Sequence, residues 1–346
     1  MCTFTHNTLG DYMKNKLFDA IYYEENILNY PLGIELMEKF KDLPKFKIEN
    51  HNNIESMRKQ SNKEFPRLKR NLIIGVRRSQ KFVPNYKVSN YLVPYTSSGC
   101  TAMCMYCYLV CHFNKCAYLR LFVNREEMLS KIIKTAEKSD EDLVFEIGSN
   151  SDLILENTIT GNLNWTIENF ARVKKGYLTF PTKFHMVDDI LNVKGKDRVI
   201  VRMSLNPHYI ISRVELATSN LKQRLKAVIK LLQAGYKVGI LIAPIILLDN
   251  YKELYEELFI TIKKTIPEAL LKDVFFELIF MTYSFVHNAI NTDAFPNAIK
   301  IYDKTKFTSR GMGKYTYKKD IRDEATVFFK YLLNKYFPNN KLWYIS

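Results

Sequence analysis

Residues Cys100–Asn124, CTAMCMYCYLVCHFNKCAYLRLFVN, hold Cys100, Cys104 and Cys107 in the spacing C-x3-C-x2-C, with Tyr106 just before the last of the three. Three thiolates on one short loop suit three irons of a cubane iron–sulfur cluster. Four cysteines are the usual complement, so such a loop leaves one iron without a protein ligand. Five cysteines fall within Cys100–Cys116, and four of them suit a structural zinc site instead. Zinc sites usually pair two C-x2-C knuckles, however, and only Cys104–Cys107 forms one. A disulfide framework fits poorly, because six cysteines in 346 residues are not dense and no signal peptide is evident.

The cysteine loop directly follows an apolar run, Tyr91–Tyr95, and the pattern of that run recurs. Strands are expected at Tyr91–Tyr95, Leu143–Ile147, Tyr177–Phe180, Val199–Ser204, Val238–Ala243 and Val274–Phe280. Helical spacing falls between them at Asn124–Ser139, Trp165–Val173, Lys183–Asn192, Ser219–Gly235 and Tyr251–Thr265. In Ser219–Gly235 the residues Leu221, Leu225, Val228, Leu231 and Leu232 make one apolar stripe, which Gly235 stops. Strands followed by helical connections imply parallel βα units. Six units fall short of the eight that close a full barrel, so the expected fold is α/β, an open, partial (βα)6 barrel. Ligands in such folds bind at the carboxyl ends of strands. The cysteine loop then lies at the barrel mouth, with Ser149, Ser151, Lys183, Ser204, Asn206, Ala243 and Pro244 as its neighbours.

Further outward, residues 1–85 show helical spacing at Leu9–Glu24 and Gly33–Leu43, a basic block from Arg58 to Lys81, and a short strand at Leu72–Val76. They are expected as a helical, basic extension, followed by the barrel at 86–300. Residues 301–346 are expected as a DNA-contacting end: a hairpin at Thr305–Lys319 (TKFTSRGMGKYTYKK) and an amphipathic helix at Asp323–Tyr336. The hairpin interleaves Arg310 and Lys314 with Tyr315 and Tyr317, which suits phosphate contact plus base stacking or wedging. Lys+Arg exceed Asp+Glu by 51 to 36, a formal net charge of +15, which implies a polyanionic partner such as nucleic acid. No apolar run approaches the ~20 residues of a membrane helix, so no membrane association and a reducing cytoplasmic setting are expected. The longest run, Val238–Leu248, is broken by Pro244.

The cysteine spacing with aromatic neighbours Tyr106 and Tyr108 resembles the radical-SAM signature, in which the open iron chelates S-adenosylmethionine (SAM). The chain as a whole resembles the spore photoproduct lyases, particularly of clostridial type. The blocks that carry this are SSGCTAMCMYCYLVC, KCAYLRLFVNREEML, FEIGSNSDL, LTFPTKF, VRMSLNP, GYKVGILIAPIIL and FELIFMTYSFVH. The resemblance implies a radical-SAM barrel whose [4Fe-4S] cluster is held by Cys100, Cys104 and Cys107. It implies reversion of 5-thyminyl-5,6-dihydrothymine in spore DNA to two thymines, with SAM regenerated and an electron donor such as ferredoxin or flavodoxin. Tyr106, Ser151, Lys183, Ser204 and Ala243 fall where the family contacts SAM. Tyr108 falls at a radical-transfer tyrosine, and the stretch near Lys314, Tyr315 and Tyr317 at the hairpin that holds the flipped-out lesion. Ser149 replaces a cysteine that in many members returns hydrogen to the thymine radical; its O–H bond is much stronger than a thiol S–H. Cys111, Cys116, Tyr106 and Tyr108 are the alternative donors, with structural packing as the other reading of Cys111 and Cys116. Two other readings stand beside this one: a different radical-SAM reaction on nucleic acid or protein, and a zinc-stabilised nucleic-acid-binding module.

Overall fold

The structure, a computed structural model, describes residues 17–112 and 116–346. The N-terminal region supplies strands β1 (Ala20–Glu24), β2 (Lys45–Ile48) and β3 (Asn71–Gly75). The segment around the cysteines supplies β4 (Val83–Pro84), β5 (Tyr91–Leu92), β6 (Ser97–Ser98), β7 (Met103–Cys104) and β8 (Arg120–Phe122). Then come β9 (Val144–Glu146), β10 (Tyr177–Thr182), β11 (Val199–Leu205), β12 (Glu215–Leu216), β13 (Lys237–Ile245) and β14 (Phe275–Phe280). The chain closes with β15 (Thr282–Ser284), β16 (Phe307–Gly311), β17 (Lys314–Tyr317) and β18 (Leu342–Ile345).

The largest sheet has eight strands in the order β18-β14-β13-β11-β10-β9-β5-β4. Every neighbouring pair from β5 to β18 is parallel, and only β4 is antiparallel to its neighbour. All six expected barrel strands are present. They are short apolar runs because a parallel sheet is covered on both faces; all seven residues of β11 (VIVRMSL) are buried. The helix Leu221–Gln233 covers one face through Leu221, Leu225, Val228 and Leu231. It starts with a capping box, in which Asn220 Oδ1 accepts from the Gln223 N–H and Gln223 Oε1 from the Asn220 N–H, both at 2.9 Å. It stops before Gly235, whose φ of +90° suits glycine.

The expected helix Lys183–Asn192 is only a 3-10 turn at Asp188–Ile190. The Lys183 carbonyl, which a helix would offer to the Val187 N–H, accepts from the Ser219 N–H at 3.2 Å instead, and the Val187 N–H donates to the His185 carbonyl at 2.8 Å. The N-terminal region also departs from the expected helical extension. It builds a five-stranded sheet, β2-β1-β3-β8-β6, parallel except for β6 against β8. Two of its strands come from the cysteine segment, so this sheet runs across residue 85 and grips both ends of the cysteine loop. Within Leu9–Glu24 the residues Ala20–Glu24 are β1, and the part before residue 17 lies outside the described residues, as does Cys2.

The expected C-terminal hairpin and helix are present: β15-β17-β16 form an antiparallel sheet, and a helix spans Lys319–Tyr336. The two edges of the eight-stranded sheet meet through Lys87, in the turn between β4 and β5. Its Nζ donates to Ser346 Oγ at 3.1 Å and lies 4.8 Å from the centre of the Tyr344 ring. Its carbonyl accepts from the Trp343 indole N–H at 3.2 Å. No helix of the described chain is long and apolar enough to cross a membrane.

Candidate active site

The cysteine loop is pinned where it leaves and re-enters the N-terminal sheet. The Cys100 N–H donates to the Ala117 carbonyl at 3.3 Å, and β6 pairs with β8 on either side. Gly99 sits at φ +76°, and a Cβ there would fall 1.8 Å from the Tyr118 carbonyl oxygen, so only glycine allows this approach. Beneath the loop Lys69, 3% exposed, donates to the Cys100 and Ala117 carbonyls at 2.7 and 2.8 Å. Burial lowers its pKa, and the charges of Cys107, Cys100 and Cys104 raise it. Above the loop, the helix Phe285–Ala294 sends His287 Nε2 to donate to the Cys107 carbonyl at 2.9 Å and Asn291 Nδ2 to the Met105 carbonyl at 2.8 Å.

Cys100, Cys104 and Cys107 are free and partly exposed. Burial around the sulfur pushes the Cys100 thiol up to about 12, and the Cys104 thiol higher still. Ligation therefore has to displace protons from them. The Ala102 N–H reaches Cys100 Sγ at 3.3 Å, the kind of amide–sulfur bond that tunes iron–sulfur centres. Among the described residues, no three of His, Cys, Asp or Glu are drawn together as for a single metal ion. Three soft, uncrosslinked thiol donors on a loop held by backbone carbonyls fit a cubane cluster.

The strand ends beside the loop converge on Lys183, which follows β10. Its Nζ donates to Ser204 Oγ at 2.5 Å and to the Ala243 carbonyl at 2.9 Å, and lies 5.7 Å from the Tyr106 ring centre. The Ser204 hydroxyl also donates to the Ala243 carbonyl, at 2.9 Å. Ser151 follows β9, next to Asp152, which caps the helix Leu153–Thr160 and accepts from the Lys183 N–H. Its hydroxyl bonds that of Ser97 at 2.7 Å, and Gly99 donates to the Asn150 carbonyl at 2.8 Å. Four of the expected SAM contacts thus lie at successive strand ends, and Tyr106 faces them from the loop. Tyr108 is half-exposed, and its hydroxyl bonds the Ser149 carbonyl, which brings these two expected residues together.

Glu215 was not expected here. It lies on β12, which pairs with β7 in a register that sets Glu215 opposite Cys104. Its Oε1 accepts from the Tyr106 hydroxyl and from Asn206 Nδ2 at 2.8 Å and forms an ion pair with the Lys183 ammonium at 3.6 Å; its Oε2 pairs with Arg224 at 2.6 Å. Burial would raise its pKa, but Lys183 and Arg224 outweigh that and hold it at about 2. A fully buried, ionised carboxylate therefore joins the cysteine loop to the lysine.

Other expectations change. Cys116 is buried in a small apolar cluster with Ile54, Met57 and Ile73, a packing position rather than an active-site one. Cys111 lies in the short helix Tyr108–His112, its side chain outside the described residues. In the hairpin Arg310 and Lys314 are exposed and Tyr315 is half-buried. Tyr317, expected against DNA, faces the core instead: it is 2% exposed and its hydroxyl accepts from the Leu247 N–H at 2.9 Å. Lys69 and Arg77 likewise leave the expected basic surface of 58–81. Arg77 donates to the Tyr95 and Ser97 carbonyls and lies 3.8 Å from the Phe122 ring centre.

Residues 17–346 match the family described as SPL, spore photoproduct lyase. A spore photoproduct lyase of Bacillus subtilis (strain 168) is 32% identical over 337 residues, covering 94% of this chain and 97% of the relative. One of Clostridium acetobutylicum is 32% identical over 338 residues, covering 95% and 99%. A solved spore photoproduct lyase complexed with dinucleoside spore photoproduct superposes with a TM-score of 0.88 at 29% identity, covering 95% of this chain and 99% of that one. A variant with bound AdoMet and the same dinucleoside superposes equally well at 28% identity, with the same coverage.

Proposed function

Because the chain belongs to the spore photoproduct lyase family, we propose that it is a radical-SAM DNA repair lyase that reverts spore photoproduct to two thymines. In this reading Cys100, Cys104 and Cys107 hold a [4Fe-4S] cluster, and SAM is the cofactor. The observation that carries it is a loop of three free cysteines whose Tyr106 sits against the Lys183–Ser204–Ala243 network at neighbouring strand ends.

With SAM bound, a reduced cluster there would supply one electron to break a C–S bond of SAM, releasing methionine and the 5′-deoxyadenosyl radical that takes hydrogen from C6 of the dihydrothymine half. The chain's own residues hold and shield. The Lys183 ammonium, positioned by Ser204, the Ala243 carbonyl and Glu215, would hold the SAM carboxylate. Ser151 lies at the neighbouring strand end and Tyr106 beside Lys183, and hydroxyls at these positions suit the ribose and the amino-acid group. Once the bridge between the thymines breaks by β-scission, the remaining thymine radical needs a hydrogen atom. Ser149 is a poor donor, because its O–H bond is strong. Tyr108, the half-exposed phenol whose hydroxyl meets the Ser149 carbonyl, is the better candidate. An electron donor of ferredoxin or flavodoxin type reduces the cluster, and the setting is the cytoplasm of the spore or germinating cell. Arg310, Lys314 and Tyr315 contact the DNA. The damaged pair leaves the stack to reach the site, at a cost of roughly a few kcal/mol.

The test is anaerobic. The reconstituted, reduced protein is given SAM and an oligonucleotide carrying spore photoproduct, and thymine and 5′-deoxyadenosine are quantified. Thymine in large excess over deoxyadenosine is expected. Deoxyadenosine without thymine would assign another radical-SAM reaction, and a colourless protein holding zinc would remove the radical chemistry.

A further inference from the structure

The tip of the C-terminal hairpin carries an apolar side chain that the fold does not use. Met312 is 95% exposed and sits at φ +52°. The register pairs Gly311 with Lys314, which makes Met312 and Gly313 the two central residues of the turn. Gly311, at +84°, and Gly313, at +67°, flank it in the same left-handed region. A turn with positive φ at both central residues favours asparagine, aspartate or glycine. An unbranched apolar side chain there is strained and packs against nothing, so it costs the folded state and returns no contact. Such an outlier points outward to function.

Its surroundings say what it meets. Between Lys300 and Arg322 eight residues are basic and two acidic. Among the described residues, Arg310 and Lys314, one on each side of the tip, enter no ion pair. An apolar tip between two free cations complements a stacked base step between two phosphate backbones.

The tip is also fixed relative to the cysteine loop. The Phe285 N–H donates to the Gly313 carbonyl at 3.2 Å, and β15 pairs with β17 next to it. A Cβ on Gly313 would come within 2.1 Å of the Phe285 ring, so the ring lies flush against the turn. Phe285 opens the helix whose His287 holds the Cys107 carbonyl. One rigid element therefore sets both the tip and the cysteine loop.

We propose that Met312 is a wedge that enters the duplex at the damaged step and fills the space left when the lesion swings into the barrel. The proposal rests on the lesion-lyase reading and goes beyond it, in that it separates opening the duplex from the chemistry. It predicts a side chain needed for duplex DNA and dispensable for a substrate with no stack to open.

The experiment compares the unaltered chain with Met312→Gly and Met312→Leu. Glycine relieves the strained φ and so keeps the fold, and leucine restores apolar bulk. Each is given a duplex with one spore photoproduct and 2-aminopurine beside it, and separately the dinucleotide lesion alone. Met312→Gly is expected to lose about tenfold or more in turnover on the duplex, together with the 2-aminopurine fluorescence rise that reports unstacking, and to match the unaltered chain on the dinucleotide. Met312→Leu is expected to recover most of both signals. Equal duplex turnover by Met312→Gly, or equal loss on both substrates, would overturn the wedge. If the unaltered chain fails on the dinucleotide, the lyase reading falls, and the 2-aminopurine signal alone decides whether Met312 enters DNA.

Discussion

At the scale of single residues, Glu215 shows how much depends on a side chain with no motif. It lies in the run Arg213–Asn220, RVELATSN, where no spacing marks it. Its partners are brought to it from the cysteine loop, more than a hundred residues earlier (Tyr106, with Cys104 opposite), and from three further positions (Lys183, Asn206 and Arg224). Glu215→Gln keeps the shape and removes the charge, leaving Arg224 buried without a counter-ion. A loss of about 3–5 kcal/mol is expected in denaturant unfolding of the cluster-free protein. The pH dependence has a definite direction. Glu215 is held at about 2 against an ordinary 4.5, so its contribution is complete above about pH 4.5 and is lost as pH falls toward 2. The variant's unfolding curve should therefore approach that of the unaltered chain at acid pH; a gap that is constant across pH would contradict this account. Tyr317 gives the opposite lesson. Basic and aromatic alternation in the hairpin was legible, but which face each tyrosine shows depends on register, and register put Tyr317 inward.

At the scale of elements, the barrel strands and the helix Leu221–Gln233 were legible because burial leaves a mark in composition. A strand covered on both faces is a continuous apolar run, and a helix covered on one face is a stripe. The N-terminal sheet left no such mark. β2 (KFKI) is an edge strand with Lys45 and Lys47 on it, and β1 (AIYYE) mixes apolar and polar residues, so helical spacing across Leu9–Glu24 was the stronger pattern. The start of Leu221–Gln233 offers a check on the local reading. Asn220→Ala removes one half of the capping box, and a loss of about 1 kcal/mol is expected by thermal or urea unfolding. No measurable change would mean that packing alone fixes this end. The cysteine loop was legible as chemistry but not as architecture. Its spacing pointed to the ligands, while Lys69, His287 and Asn291, which hold its carbonyls, come from distant parts of the chain.

At the scale of the whole molecule, the net charge of +15 is not a uniform coat. Lys69, Arg77, Arg120, Arg202 and Arg224 are internal or nearly so, which leaves the outer charge to a smaller set that includes Arg310 and Lys314. If both meet phosphates, the double change Arg310→Ala with Lys314→Ala should flatten the plot of log affinity for duplex DNA against log salt by about 1.8, at about 0.9 per phosphate contact. An unchanged slope, measured by fluorescence anisotropy across a salt series, would place the DNA elsewhere.

The meeting of β18 with the turn at Lys87 has a mechanical meaning. Within the sheet each strand is zipped to the next by a backbone ladder, but the two rims are joined by an ammonium, an indole and a hydroxyl at the surface. Exposed contacts of this kind contribute about 0–1 kcal/mol each. The enclosure can thus part along that rim, as a collar opens at its clasp, while every ladder stays intact. Breathing of this kind would show in hydrogen exchange. Lys87→Ala should quicken exchange in β18 and β5 and leave β10, β11 and β13 as they were, whereas faster exchange throughout would mean that the clasp had been holding the whole garment together.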